Sequence, residues 1–243
     1  MSNLSDIGFP VASDQDVNQV LMDVLPGVVE IPCAPFGSYY RYSDASGAEL
    51  YLQANIDQEL IGFNPAFAGG CIRKVELERS FSRDTSELDG AFVARESDGS
   101  TFVFDCPDFR AHRLYEFPLS GTVELTAFAS NDLAISPGAE WAPESAGIHQ
   151  LAPRVTGEDG EESFPLQAHV RISAEVVTAE ELENSLTGAR FFSIEADTGT
   201  GVIRVVADPK LIKKPPAGGE RLVGSFWLSG KVSVGNEDQK SSS

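Results

Sequence analysis

Leu222-Val223-Gly224-Ser225-Phe226-Trp227-Leu228-Ser229-Gly230-Lys231-Val232-Ser233-Val234 is the stretch whose reading decides the fold. Leu222, Gly224, Phe226, Leu228, Gly230, Val232 and Val234 alternate with Val223, Ser225, Trp227, Ser229, Lys231 and Ser233, the two-residue period of a half-buried strand. A regular strand places Trp227 on the face opposite Phe226 and Leu228. Working back along the chain, Ala168, Val170, Ile172, Ala174 and Val176 alternate with His169, Arg171, Ser173 and Glu175. Shorter copies occupy Phe191 to Ala196 and Val202 to Ala207, which gives four strands.

Asp208-Pro209-Lys210-Leu211-Ile212 interrupts the third and fourth of them as a short helix or turn. Asp208 suits its N-cap, Pro209 its first helical position, and Lys213-Lys214 the negative end of its dipole. Three strands, a short helix and a long strand are compatible with an oligonucleotide/oligosaccharide-binding (OB) barrel over residues 165–234. The segments Asn184-Ser185-Leu186-Thr187-Gly188, Val205 to Pro209 and Gly224 to Gly230 are similar to those of a group of uncharacterised bacterial cytosolic proteins. That resemblance implies an OB-like C-terminal segment and no activity.

Towards the N-terminus, Ser13 stands three residues before Asp16 in a capping-box pattern. Val17, Val20, Leu21 and Val24 then form one helical stripe, ended by Pro26-Gly27. Ile7 to Val11 precedes this helix as an expected strand. Val28–Ile31, Ser38–Tyr42, Glu49–Gln53 and Glu59–Phe63 follow it, with a turn at Ser43 to Gly47. The order is βαβββ-type and resembles one module of the vicinal-oxygen-chelate family, which includes the glyoxalases. The family's metal site needs His or Glu on inward strand faces; Ile7-Gly8-Phe9-Pro10-Val11 offers none, and Glu59 alone cannot hold a metal.

Further strands are expected at Lys74–Phe81, Ala91–Arg95, Thr101–Phe104 and Val123–Phe128, with a hairpin turn at Ser97-Asp98-Gly99. Gly37 to Asp44 and Gly90 to Asp98 look alike, but a one-residue offset makes them two ordinary hairpins rather than a repeat. The pattern lapses from Ser130 to Ser163. The expected organisation is therefore mainly β (α+β): an acidic α+β unit at 1–129, an acidic connection containing proline and glycine at 130–164, the OB-like unit at 165–234 and a disordered tail at 235–243.

The chain has 243 residues and a formal net charge of −19. Residues 1–164 carry 9 Lys plus Arg against 27 Asp plus Glu, whereas residues 165–234 carry 8 against 8. The acidity belongs to the N-terminal part; such a field repels phosphate and attracts basic partners. No apolar run approaches the roughly 20 residues of a membrane span, and the opening residues lack a secretory pattern, so a cytoplasmic protein without membrane contact is expected.

Cys33, Cys71 and Cys106 are odd in number and widely spaced, which fits neither a disulfide framework nor a paired-cysteine zinc site. Cys106 and His112 are the one thiol-imidazole pair within short reach, and an inert buried thiol is the expectation. His149 and His169 form no metal motif, and Glu158 to Glu162 lacks the alternating ligands of a calcium loop. No phosphate-binding, dinucleotide or nucleophile-elbow motif occurs, so no catalytic residue, cofactor or metal is assigned.

The alternation leaves Trp227 and Phe191 on polar strand faces, together with Arg171, Arg204 and Lys231. Large aromatics there need a cover. A protein cover, from the acidic N-terminal unit or another subunit, leads to the main expectation: a non-enzymatic interaction protein with a protein partner or a second copy. A nucleobase cover would make the protein a single-strand nucleic-acid binder, with aromatics stacking bases and cations tracking phosphates. A small-molecule enzyme on the N-terminal module is the third reading.

Overall fold

A computed structural model describes residues 3–83, 86–112, 116–138, 146–150, 155–156, 162–163 and 167–234. The one α-helix among them, α1 (Asp14–Val24), begins where the capping pattern places it: Ser13 accepts from the Asp16 N–H, and the Asp16 carboxylate accepts from the Ser13 N–H at 2.9 Å. Val20 and Val24 are buried, and a 3-10 turn at Leu25–Gly27 ends the helix. Four antiparallel strands follow as a meander in the order β1 (Val29–Pro32), β2 (Ser38–Ser43), β3 (Ala48–Ala54) and β4 (Leu60–Phe67).

The strand expected at Ile7 to Val11 does not form. Ser5–Ile7 is a 3-10 turn capped by Gly8 in the left-handed region, and Asp6, Ile7, Gly8 and Phe9 are buried in succession instead of alternating between buried and exposed. A Cβ at Gly8 would lie 2.7 Å from that of Asn184, so the close approach of the Asn184 loop and the positive φ both select glycine. The N-terminal unit is thus a helix and four strands, and the leading strand of the βαβββ order is missing.

The second sheet has ten strands. It comprises β5 (Cys71–Arg83), β6 (Ser86–Arg95), β7 (Thr101–Asp105), β8 (Leu119–Ala129), β9 (Ala134–Ser136), β10 (Gly147–Gln150), β13 (His169–Glu183), β14 (Arg190–Asp197), β15 (Val202–Ala207) and β16 (Arg221–Ser233). A separate two-stranded pair joins β11 (Val155–Thr156) to β12 (Glu162–Ser163). Asp208 caps a single 3-10 turn, Pro209–Leu211, between β15 and β16, with its carboxylate accepting from the Lys210 N–H.

The pairings of the large sheet close two circuits that share β8 and β16, themselves an antiparallel pair. One circuit runs β5, β6, β7, β16, β8 and back to β5, with β7 parallel to β16 at Asp105 and Ser229. The other runs β13, β14, β15, β8, β16 and back to β13, with β15 parallel to β8. Each meander has a bulge in its first strand, between Leu77 and Arg79 in β5 and between Val176 and Thr178 in β13, and β5 has a further shift between Ser82 and Arg83. The connection at 130–164, about half of it outside the described residues, therefore separates in sequence strands that pair in space.

One apolar core fills both circuits. Leu77, Phe92, Phe104 and Leu125 from the first meet Val170, Ile172, Ile194, Val205, Phe226 and Leu228 from the second. The opposite faces of the same strands contribute to another core: Val93, Val103, Phe128, Phe191, Val206 and Trp227 pack with Phe9, Val20, Val24, Leu50 and Leu52 of the N-terminal unit. Trp227 thus stands on the face opposite Phe226 and Leu228, as a regular β16 requires. No helix among the described residues is long and apolar enough to cross a membrane. The disordered tail expected at 235–243 and the acidic run from Glu158 to Glu161 lie outside the described residues.

Candidate functional site

The outward face expected from the alternation is occupied by the chain's own N-terminal unit. Phe191 is fully buried, its ring edge-on to Phe67 with centroids 6.0 Å apart. Trp227 is 9% exposed and packs on Phe128 at 5.0 Å. Neither ring is open to stack a base. The cations of that face are matched by carboxylates. Arg204 binds Glu195, the Ser193 hydroxyl and the Gly69 carbonyl, while Lys231 lies 3.1 Å from Glu49 and 3.3 Å from Glu124. Arg171, half exposed, pairs with Asp132 at 3.3 Å. The structure therefore brings Trp227, Phe191 and Lys231 towards the N-terminal unit and leaves Arg171 apart from them.

A different constellation sits where β7 ends. Pro107 has no N–H to continue the ladder, and the chain turns instead into a 3-10 turn at Phe109–Ala111. The Cys106 N–H donates to the Gly90 carbonyl at 2.9 Å, and the Phe109 N–H to the Cys106 carbonyl at 3.2 Å. The Phe109 ring lies on Gly90, where a Cβ would come within 2.3 Å of it, so only glycine admits the loop this close. Phe92 stacks edge-on to both Phe109 and His112.

This pinned loop gathers three chemically different donors. The Cys106 thiol donates to Asp108 Oδ1 at 3.3 Å, and His112 Nε2 lies 3.1 Å from the same oxygen. All three ligating atoms fall within 4.8 Å of one another. Burial, then the Asp108 charge and its hydrogen bond, push the Cys106 thiol well above its ordinary range. Burial opposes ionisation of Asp108 as well, but the hydrogen bond and charge of His112 and the Cys106 thiol outweigh it and hold the carboxyl below the usual value. A neutral, fully buried thiol is a poor nucleophile. As a donor set, however, S, O and N on one short loop suit a borderline metal cation. Sequence spacing singled out Cys106 and His112 as a thiol-imidazole pair but not Asp108 or a ligand set, because Cys-X-Asp-X3-His combines three residue types on an irregular loop and matches none of the paired-ligand patterns.

Elsewhere, a cleft of about 790 Å³ runs beside β5 and β8, lined by Lys74, Glu76, Arg95, Glu96 and Thr122 among others, and none of the five expected binding residues reaches it. Asp6 and Asp208 meet at a smaller polar hollow, where the Asp208 N–H donates to Asp6 Oδ1 at 2.9 Å. Compared with protein-family models, with curated proteins and with solved structures, the chain finds no match.

Proposed function

We propose that this chain is a non-enzymatic interaction protein, built on two OB-like rings, that docks a basic, amphipathic protein segment on the hairpin between β3 and β4. The observation that carries the reading is the run Ile56-Asp57-Gln58-Glu59-Leu60-Ile61, whose six residues are all exposed. Ile56 is 69% exposed, Leu60 50% and Ile61 42%, and two carboxylates stand among them. Apolar side chains clustered in water mark contact surfaces, and the acidic surround selects a basic partner. The hairpin leads into β4, the outer strand of its sheet, which has no further strand beside it among the described residues.

The OB-like description rests on strand order. In each circuit a three-stranded meander is followed by a long strand antiparallel to its first member and another parallel to its third. That order favours a second reading, single-strand nucleic-acid binding. The burial of Trp227 and Phe191 and the carboxylate partners of Arg204 and Lys231 count against it.

Affinity purification of the full chain from its native host, with quantitative mass spectrometry, tests the proposal against the triple variant Ile56→Ser, Leu60→Ser, Ile61→Ser. A protein recovered with the wild type, released by salt and lost from the folded variant, is the expected result. Equal recovery with both chains would sink the hairpin reading. Salt-sensitive binding of a single-stranded oligonucleotide, abolished by Trp227→Ala in a folded variant, would install the second reading in its place.

A further inference from the structure

We infer that Cys106, Asp108 and His112 form a binding site for one divalent cation of the zinc class. A tetrahedral zinc with bonds of about 2.0 to 2.3 Å holds its ligand atoms roughly 3.3 to 3.6 Å apart. Cys106 Sγ and Asp108 Oδ1 are 3.3 Å apart, and His112 Nε2 and Asp108 Oδ1 are 3.1 Å apart. The third separation, Cys106 Sγ to His112 Nε2, is at most 4.8 Å, so seating an ion requires these two atoms to close by no more than about 1.3 Å.

Charge balance supports the assignment. As the metal–sulfur bond forms, the thiol proton leaves to solvent; a thiolate, a carboxylate and a neutral imidazole around a dication sum to zero, which suits a site this buried. The donors also select the ion. Thiolate and imidazole disfavour calcium and magnesium, which prefer all-oxygen shells, and favour zinc, cobalt(II) or iron(II). Three protein ligands leave a fourth tetrahedral position for solvent. The supporting shell is already in place, since Cys106 is anchored through Gly90 and the His112 ring rests against Phe92. An ion here clamps the loop that joins β7 to the strands beyond it, and does so independently of the β3–β4 hairpin.

The test uses the full chain, freed of metal by a chelator and titrated with cobalt(II). One equivalent should bind, with the absorption of a tetrahedral thiolate complex, and zinc should displace it. Cys106→Ser and His112→Gln should each weaken binding by at least about tenfold, and Cys106→Ser should also remove the sulfur-to-cobalt band, whereas Cys33→Ser and Cys71→Ser should leave the spectrum unchanged. Zinc should raise the melting temperature of the wild type and not of Cys106→Ser. Because Cys106 is a core residue, Asp108→Asn supplies a variant that keeps most of the loop's hydrogen bonding, and it too should lose metal. Absence of saturable cobalt binding by the folded wild type, or binding undiminished in all three ligand variants, would leave the trio as a hydrogen-bonded loop clasp and overturn the assignment.

Discussion

The indole N–H of Trp227 donates to Asp105 Oδ2 at 2.5 Å, beside the point where β7 and β16 run parallel. The other carboxylate oxygen of Asp105 accepts from Arg83. Burial pushes the Asp105 carboxyl up, while the Arg83 charge and the indole bond work to keep it ionised. Trp227→Phe, which retains an aromatic ring and deletes the donor, should lower stability by about 1 to 3 kcal/mol, and Trp227→Ala by about 3 to 5 kcal/mol because a cavity is added. Urea denaturation measures both. Equal midpoints for Trp227→Phe and wild type would mean that the indole bond contributes nothing net.

Arg73 links the two circuits. Its guanidinium meets Glu96 in a two-pronged pair, with Nε to Oε1 at 2.5 Å and Nη2 to Oε2 at 2.8 Å, and it also donates to Thr200 and to the Val202 carbonyl at the turn before β15. With both side chains less than a tenth exposed, Arg73→Ala leaves a buried carboxylate without its cation and should cost about 3 to 5 kcal/mol. Replacing both partners by apolar residues should cost less than that single change. A double-mutant cycle in chemical denaturation decides it.

Asp6 should make stability depend on pH. Burial, the main cause, pushes its carboxyl up to about 8 from an ordinary value of 3.8. The folded state therefore holds this proton more tightly than the unfolded state does. Between those two values the unfolded chain has released the proton and the folded chain has not, so stability falls as pH rises, by up to about 1.4 kcal/mol per pH unit. Asp6→Asn lacks this group, and its stability relative to wild type should climb steadily across the window. A flat difference would show that Asp6 is ionised in the folded protein.

Ser13→Ala removes the side-chain half of the capping box at the start of α1 and should lower stability by about 0.5 to 2 kcal/mol. Ser13→Asn, which keeps an acceptor, should restore most of it. Thermal denaturation followed by circular dichroism is sufficient to see the difference.

Local patterns in the sequence were readable wherever one physical rule acted alone. The capping pair marks the start of α1, the alternation around Trp227 sets its face, and Asp208-Pro209 marks the turn before β16. The leading strand at Ile7 to Val11 was misread because Ile7 to Phe9 are buried in succession around a turn, which a short apolar run does not distinguish from a strand. The two circuits were hidden for another reason: β8 and β16 each serve both, and pairing between residues a hundred or more positions apart leaves no local trace. The fate of Trp227 and Phe191 depended on what packs over them, and that too is a long-range fact. Cys106, Asp108 and His112 were close in sequence, yet their meeting depends on the fit of Phe109 over Gly90.

The sharing of β8 and β16 has a consequence for ancestry. A polypeptide of about a quarter of this length, with one meander and one long strand, could complete its ring by sharing that long strand with an identical subunit. The eight strands of the two circuits thus have the plan of a homodimer whose protomers share their long strands across the antiparallel β8–β16 pair, here joined covalently by the residues that follow β8. Duplication and fusion of one such segment would produce a chain of this plan, in which β7 leads to β8 through the Cys106 loop and β15 leads to β16 through the Asp208 turn.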